Sequence, residues 1–417
     1  MNQRRSLPAG WLAWLGLCCL VAAGPAHAAP ERFEDTLCVT AKFSQGQPLS
    51  ELPMLTDLGV KWVRDTVAWF DIEKRPGQYQ AFPPEFQQRL DFYRQHDIGL
   101  VMLLAYDNPL AYPNTPAKPG NSADPVAYGR YAAEMARRLR KQGLRFVIEL
   151  WNEPHNDLFH KFGGNWNGAP PSPWVDHYLR MVDEATHRIK LFDPSIRVIT
   201  DDDMWVIHYH FLARGLTRQI DGFAIHPYTG GDIPELTAVT YDTDWTRPYQ
   251  VVDPDRSFGS AMRRLREFGS QKLGKRPEIW ITEWGWGVGE KSPLGPLSEE
   301  AVATYLPRAM ILGAATGAEA TCWFSTRDSV DGPMGLTDNN SRPRPAYYAF
   351  RDLHAKLGKA RYVCPLSTQS GSGAAMAYLF RDAKGPLVAR WDAYPAVQGA
   401  GKLSLERPAT APACARP

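Results

Sequence analysis

The chain has 417 residues, 44% of them hydrophobic and 22% charged, so it can bury a sizeable core and is neither a disordered nor a low-complexity polymer. Its 47 basic and 45 acidic residues nearly cancel and no basic block occurs, which argues against nucleic acid or an anionic membrane surface as partner. At this length one large domain with a small appendage is expected.

Residues 1–28 read as a secretory signal peptide. Arg4 and Arg5 form the positive start, Trp11 to Ala23 the apolar stretch, and Ala26-His27-Ala28 the small-residue cleavage pattern. The apolar stretch is shorter than the ~20 residues a spanning helix needs, and no later segment could cross a bilayer. The mature chain is therefore expected to be exported, periplasmic or secreted, without stable membrane insertion, and monomeric. Cys18 and Cys19 leave with the signal. Cys38, Cys322, Cys364 and Cys414 remain in a compartment where disulfides persist, and four cysteines allow three connectivities.

Short apolar runs then alternate with helix-like stretches, the pattern of βα units around a parallel sheet. Eight strands are expected, at 37–43, 60–65, 99–105, 146–151, 197–201, 222–226, 278–283 and 318–325. Each ends in polar or charged residues, and in a closed barrel those C-terminal ends carry the chemistry. Helix starts are legible at Asp124-Pro125, Ser172-Pro173 and Ser298-Glu299-Glu300, where a capping side chain precedes proline or acids; the first of these helices stops at Gly143. The expectation is a (β/α)8 TIM barrel over residues 29–358. Two long connections, 155–171 and 229–256, leave its active face; the second carries Tyr241, Trp245 and Tyr249. Beyond Gly358, alternating runs at 375–380 and 387–391 predict a small C-terminal β-unit packed on the barrel (359–417), with a disordered tail from Pro408.

Two strand ends stand out. One is Phe146-Val147-Ile148-Glu149-Leu150-Trp151-Asn152-Glu153-Pro154; the other is Glu278-Ile279-Trp280-Ile281-Thr282-Glu283-Trp284-Gly285-Trp286. A single glutamate at a strand end is ordinarily a surface residue. Two of them, ending different strands and bracketed by tryptophan, suit chemistry that needs one protonated and one ionised carboxyl, as glycosidic cleavage does. A metal centre is the competing chemistry, with Asp201-Asp202-Asp203 and histidines 155, 160, 208, 210 and 226 as ligands. His208 and His210, two apart on a helix, point away from each other, and no His-Glu-x-x-His spacing occurs. An open doubly wound sheet is the competing fold, but no glycine-rich phosphate loop follows an early strand; neither a metal nor another cofactor is expected. The Asp run reads as a polar strand end with one member placed to contact substrate.

The Trp-Asn-Glu-Pro and Thr-Glu-Trp-Gly-Trp strand ends resemble glycoside hydrolase clan A. Within it the chain is most similar to family 39, particularly exported bacterial members that degrade exopolysaccharides. The similarity extends through Trp62-Val63-Arg64, Trp69, Ile72-Glu73, Gly77-Gln78-Tyr79, His226-Pro227-Tyr228, Gly335-Leu336 and Pro343 to Tyr347. The resemblance implies Glu153 as acid/base and Glu283 as nucleophile of a retaining mechanism. It implies Asn152 as the partner of the sugar 2-hydroxyl, Arg64 as the cation beside Glu283, and His226 and Tyr228 as groups touching nucleophile or sugar. Trp69, Trp151, Trp284 and Trp286 are stacking candidates, since flat rings suit the apolar faces of pyranoses. Trp323 stands where the clan places its sugar platform, but Phe324 adjoins it and strand alternation sends the two to opposite faces. The implied partner is a polysaccharide or oligosaccharide, cut endo-fashion. An exo-acting β-glycosidase and a non-catalytic carbohydrate-binding protein are the alternatives.

Overall fold

The structure, a computed structural model, describes residues 30–118, 120–239, 248–394 and 401–415. The segment expected to be a signal peptide, Tyr241 and Trp245 lie outside the described residues. Eight strands form a closed barrel: β1 Leu37–Thr40, β2 Trp62–Thr66, β3 Gly99–Leu104, β4 Phe146–Leu150, β5 Arg197–Asp202, β6 Gly222–Ile225, β7 Glu278–Trp284 and β8 Thr321–Phe324. Every neighbouring pair is parallel, and β8 closes on β1. The sequence fold class is met, with β1 and β8 shorter than expected. After β1 the chain turns at Phe43–Gln45, where the Lys42 amide donates to the Gln47 side chain instead of continuing the ladder.

Among the described residues ten α-helices accompany the strands: α1 Pro53–Leu58, α2 Trp69–Ile72, α3 Pro84–Gln95, α4 Pro125–Lys141, α5 Pro154–Phe162, α6 Pro173–Phe192, α7 Ile207–Ala213, α8 Phe258–Leu273, α9 Glu299–Ala315 and α10 Pro345–Leu357. The Asp124 side chain caps α4 by accepting from the Ala127 amide at 2.8 Å, and Ser298 does the same for α9. The long loop expected at 155–171 is half helix, because Pro154 fits the first position of α5 and the loop proper begins at Gly163. Among the described residues no helix is long and apolar enough to cross a membrane.

Side-chain alternation builds the barrel interior in layers. Cys38, Trp62, Val101, Val147, Ile199, Ala224, Trp280 and Cys322, one residue from each strand, form an apolar cluster separate from the larger one between strands and helices. Cys38 and Cys322 are joined there as a disulfide between adjacent strands. Two residues further along each strand the same faces present Thr40, Arg64, Leu103, Glu149, Asp201, His226, Thr282 and Phe324. The layer beneath the barrel mouth is thus mostly polar, and buried.

Beyond α10, strands β9 Arg361–Pro365, β10 Ala375–Asp382, β11 Gly385–Asp392 and β12 Ser404–Glu406 make an antiparallel sheet in sequence order. Phe380 packs edge-on against Phe33 at 5.8 Å, and the Trp391 indole donates to buried Glu235, so the sheet is fastened to the barrel. The tail expected to be disordered from Pro408 is tied back. Cys414 is disulfide-bonded to Cys364, and the Ala415 amide donates to the Pro365 carbonyl at 2.9 Å.

Candidate active site

The polar layer becomes a site at the ends of β2, β4, β6 and β7. Arg64, only 3% exposed, spreads its guanidinium over three partners. Its Nε donates to Glu149 at 2.7 Å, one terminal nitrogen donates to Asn152 Oδ1 at 2.8 Å, and the other to Glu283. A buried charge requires such pairing, since desolvation without it costs several kcal/mol. Glu283 also accepts from the Tyr228 hydroxyl at 2.8 Å, so a donor holds each of its oxygens. The Thr282 hydroxyl faces the barrel interior, where it meets His226 Nε2 at 3.0 Å. Strict alternation would then turn Glu283 outward. A register shift between β7 and β8 inserts an extra residue in β7 at this point and re-aims the strand end, as β-bulges do.

Glu153 is positioned by strain and by hydrogen bonds. Trp151 (φ 71°) and Glu153 (φ 46°) both adopt left-handed backbone, a cost of about 1–3 kcal/mol each that surrounding contacts must offset. The Trp151 amide donates to the Tyr128 hydroxyl at 3.0 Å, and the Glu153 amide donates to Asp201 at 2.9 Å. The Glu153 carboxylate lies 2.9 Å from His226 Nδ1 and accepts from Asn156 at 3.1 Å. Asn152 donates from Nδ2 to the Tyr106 hydroxyl at 3.0 Å, which with Arg64 fixes its amide orientation. One oxygen of Glu153, one of Glu283 and a ring nitrogen of His226 lie within 4.8 Å of one another.

These groups border a cleft of about 480 Å³, within the ~300–1,000 Å³ range of small-molecule sites. Arg64, Asn152, Glu153 and Glu283 line it together with Lys42, Tyr106, Phe70, Phe324 and Asp331. Trp69, Trp151, Trp284, Trp286 and Trp323 do not line it; all five are fully buried. Trp69 stacks on Tyr131 at 4.9 Å and donates to Glu73, while Trp284, Trp286 and Trp323 pack on one another behind the barrel wall. Phe324, not Trp323, shares the inward face, because it stands two residues beyond Cys322. The aromatic surfaces that face solvent in the cleft are Phe70 and Tyr106, 43% and 50% exposed. Asp201 and Asp202 are completely buried, so neither is the member of the Asp run placed to contact substrate. Asp201 instead holds the backbone of Glu153. Glu149, unremarked in the sequence, was detectable as a charged residue inside an apolar strand.

Burial alone would depress the His226 pKa, but the carboxylates of Asp201 and Glu283 and the bond to Glu153 push it up to about 10. Beside the site, His155 Nδ1 sits 2.8 Å from Asp202 and 2.9 Å from Asp203. Burial again opposes protonation there, and the two carboxylates outweigh it, raising His155 to about 10. Among the described residues this is one of three His/acid groups close enough to hold an ion, and its imidazolium already supplies a positive charge between the two acids. Both histidines titrate near 6.5 when unfolded, so the stability they contribute is full below about pH 6.5 and is lost as pH rises through about 10. The melting temperature should therefore fall by several degrees between pH 6.5 and 10, and fall less in His226→Asn. A flat thermal profile across that window in the native chain would contradict the assignment.

No family model and no curated protein sequence matches the chain. Solved structures do. A family 39 glycoside hydrolase from the gut symbiont Bacteroides cellulosilyticus WH2 superposes with a TM-score of 0.65 at 19% identity, over 87% of this chain and 72% of that one. A GH39 enzyme from Xanthomonas axonopodis pv. citri gives 0.57 at 18% identity, over 90% and 75%. A glucosidase from Croceicoccus marinus gives 0.58 at 13% identity, over 87% and 76%. The likeness is one of fold, and two of these three structures are described as members of the family that the strand-end motifs resemble.

Proposed function

We propose that the chain is a retaining glycoside hydrolase in which Glu153 is the acid/base and Glu283 the nucleophile. The observation that carries this reading is the approach of the two carboxylates, with one oxygen of each within 4.8 Å. Retaining enzymes hold their carboxyl groups about 5–5.5 Å apart, and inverting ones about 6.5–9.5 Å, leaving room for water. In the first step Glu153 protonates the glycosidic oxygen while a Glu283 oxygen attacks the anomeric carbon. The sugar–oxygen bond breaks and a glycosyl ester forms. In the second step Glu153 takes a proton from water, whose oxygen attacks the same carbon and releases Glu283. Arg64 and Tyr228 fix the attacking carboxylate, and Asn152, locked between Arg64 and Tyr106, offers its amide to the sugar 2-hydroxyl.

The expected substrate is a bacterial exopolysaccharide cut within the chain, outside the cytoplasm after export through residues 1–28. Supporting endo-action, the solvent-facing rings of Phe70 and Tyr106 line the cleft beside the two glutamates and offer surfaces for further sugar units. Product analysis on bacterial exopolysaccharides, alongside aryl glycosides that include β-glucosides, tests this. Oligosaccharide products support it, and release of monosaccharide alone would replace endo- by exo-action. Binding of oligosaccharide without new reducing ends would leave a carbohydrate-binding protein.

Glu153→Gln should separate acid from base work. On a dinitrophenyl glycoside, whose leaving group needs little protonation, the first chemical step should slow less than tenfold. Polysaccharide cleavage should fall by roughly 10²–10⁴, the usual worth of general acid catalysis. Equal losses on both substrates would remove Glu153 from the acid role.

A further inference from the structure

Lys42 lies just beyond β1, 5% exposed, and lines the same cleft as the two glutamates. Its ammonium sits 3.9 Å from the centroid of the Phe324 ring, so that ring face is covered by a cation and is closed to a stacked sugar. Among the described residues its hydrogen-bond partner is Asp331, at 2.8 Å from Nζ. An ammonium has three N–H donors, so the bond to Asp331 leaves it able to donate to a further acceptor. Asp331 comes from the loop after β8. Its Oδ2 accepts from both Lys42 and the Ser329 hydroxyl, which leaves Oδ1 as an acceptor on a side chain 42% exposed. Partial burial works to raise the Asp331 pKa, but the Lys42 and Ser329 bonds hold it below the usual carboxylate range.

We propose that Lys42 and Asp331 are specificity-determining residues that together read one hydroxyl of a neutral sugar, Lys42 donating to it and Asp331 accepting from it. The inference rests on the glycosidase reading and adds to it the substrate class. An acidic sugar fits poorly, because Asp331 already neutralises Lys42 and because Glu153 and Glu283 face the same cleft. A sugar lacking the hydroxyl, or bearing it in the other configuration, leaves the buried Lys42 ammonium with Asp331 as its hydrogen-bond partner among the described residues and its remaining donors unmet, a loss that disfavours it.

The test uses the native chain, Lys42→Met and Asp331→Asn, each first shown by thermal melting to be folded. Hydrolysis is measured on the 4-nitrophenyl β-glycosides of glucose, galactose, mannose, xylose and glucuronic acid. Binding of the matching neutral iminosugars is measured calorimetrically, independently of turnover. The native chain should rank the neutral sugars by at least tenfold and disfavour the glucuronide. Both variants should lose on the order of 10–100-fold on the best sugar and little on the worst, so that the ranking collapses. An unchanged ranking in both variants, or a glucuronide as best substrate, would overturn the proposal. Iminosugar binding that discriminates through Lys42 without any hydrolysis would remove the glycosidase reading and keep the hydroxyl-reading pair. Neither binding nor hydrolysis of any probe, with no new reducing ends from exopolysaccharide either, would overturn both.

Discussion

Glu283→Gln should lower kcat by on the order of 10⁴-fold or more while leaving the fold intact. Residues that act as one chemical unit show losses of that size when a single member is removed, and 10⁴-fold corresponds to about 5.4 kcal/mol of barrier. The fold should survive because the substitution is isosteric. The Gln carbonyl can still accept from one of the two donors, and Arg64 retains Glu149 at 2.7 Å as its counter-charge. Turnover is another matter, since an amide oxygen forms no stable ester with the anomeric carbon. Measured kcat on the best aryl glycoside, with the melting temperature beside it, gives the result. Loss of less than tenfold in a folded variant would remove Glu283 from the nucleophile's role.

The largest expected stability effect lies away from the cleft. Arg308 on α9 and Glu235, in the segment after β6, are both buried and doubly hydrogen-bonded, Nε to Oε1 at 2.8 Å and Nη2 to Oε2. The Trp391 indole of β11 donates to the same Glu235 oxygen at 2.7 Å, and Arg308 Nη1 donates to the Tyr394 carbonyl at 3.0 Å. One ion pair therefore fastens the C-terminal sheet to the barrel. Glu235→Ala strands the guanidinium without a counter-charge and should cost about 3–5 kcal/mol. The double variant Glu235→Leu/Arg308→Met should recover much of that, because the desolvation of both charges is removed with the pair. Urea-unfolding midpoints of native, single and double variants check this. A double variant no more stable than Glu235→Ala would show that packing, not charge compensation, carries the joint.

Much of this molecule was legible in its sequence, and the failures have a common cause. Apolar runs ending in charge marked all eight barrel strands, since a parallel strand is buried on both faces and exposes chemistry only at its end. The same pattern singled out Glu153 and Glu283. The tryptophans misled because composition gives the presence of a large ring and not the direction it faces. Trp284 and Trp286 flank Glu283 in sequence yet pack behind it, and the bulge that re-aims Glu283 depends on pairing with β8. For Trp323 and Phe324, alternation gave the right question. The answer needed the Cys38–Cys322 register to say which face is inward. Lys42 and Asp331 were invisible for a plainer reason: they are 289 residues apart and meet only when the barrel closes. The Asp run was read as a polar strand end with one unspecified member at the substrate, and nothing local shows that Asp201 would hold the Glu153 amide.

The central claim is that hydrolysis proceeds through a glycosyl ester on Glu283, with Glu153 serving twice. Proton NMR of the first-formed product from the best β-glycoside, recorded before mutarotation, tests it most directly. Two displacements at one carbon predict that the β-anomer appears first and the α-anomer grows in later. An α-anomer appearing first would mean a single displacement by water and would contradict the account.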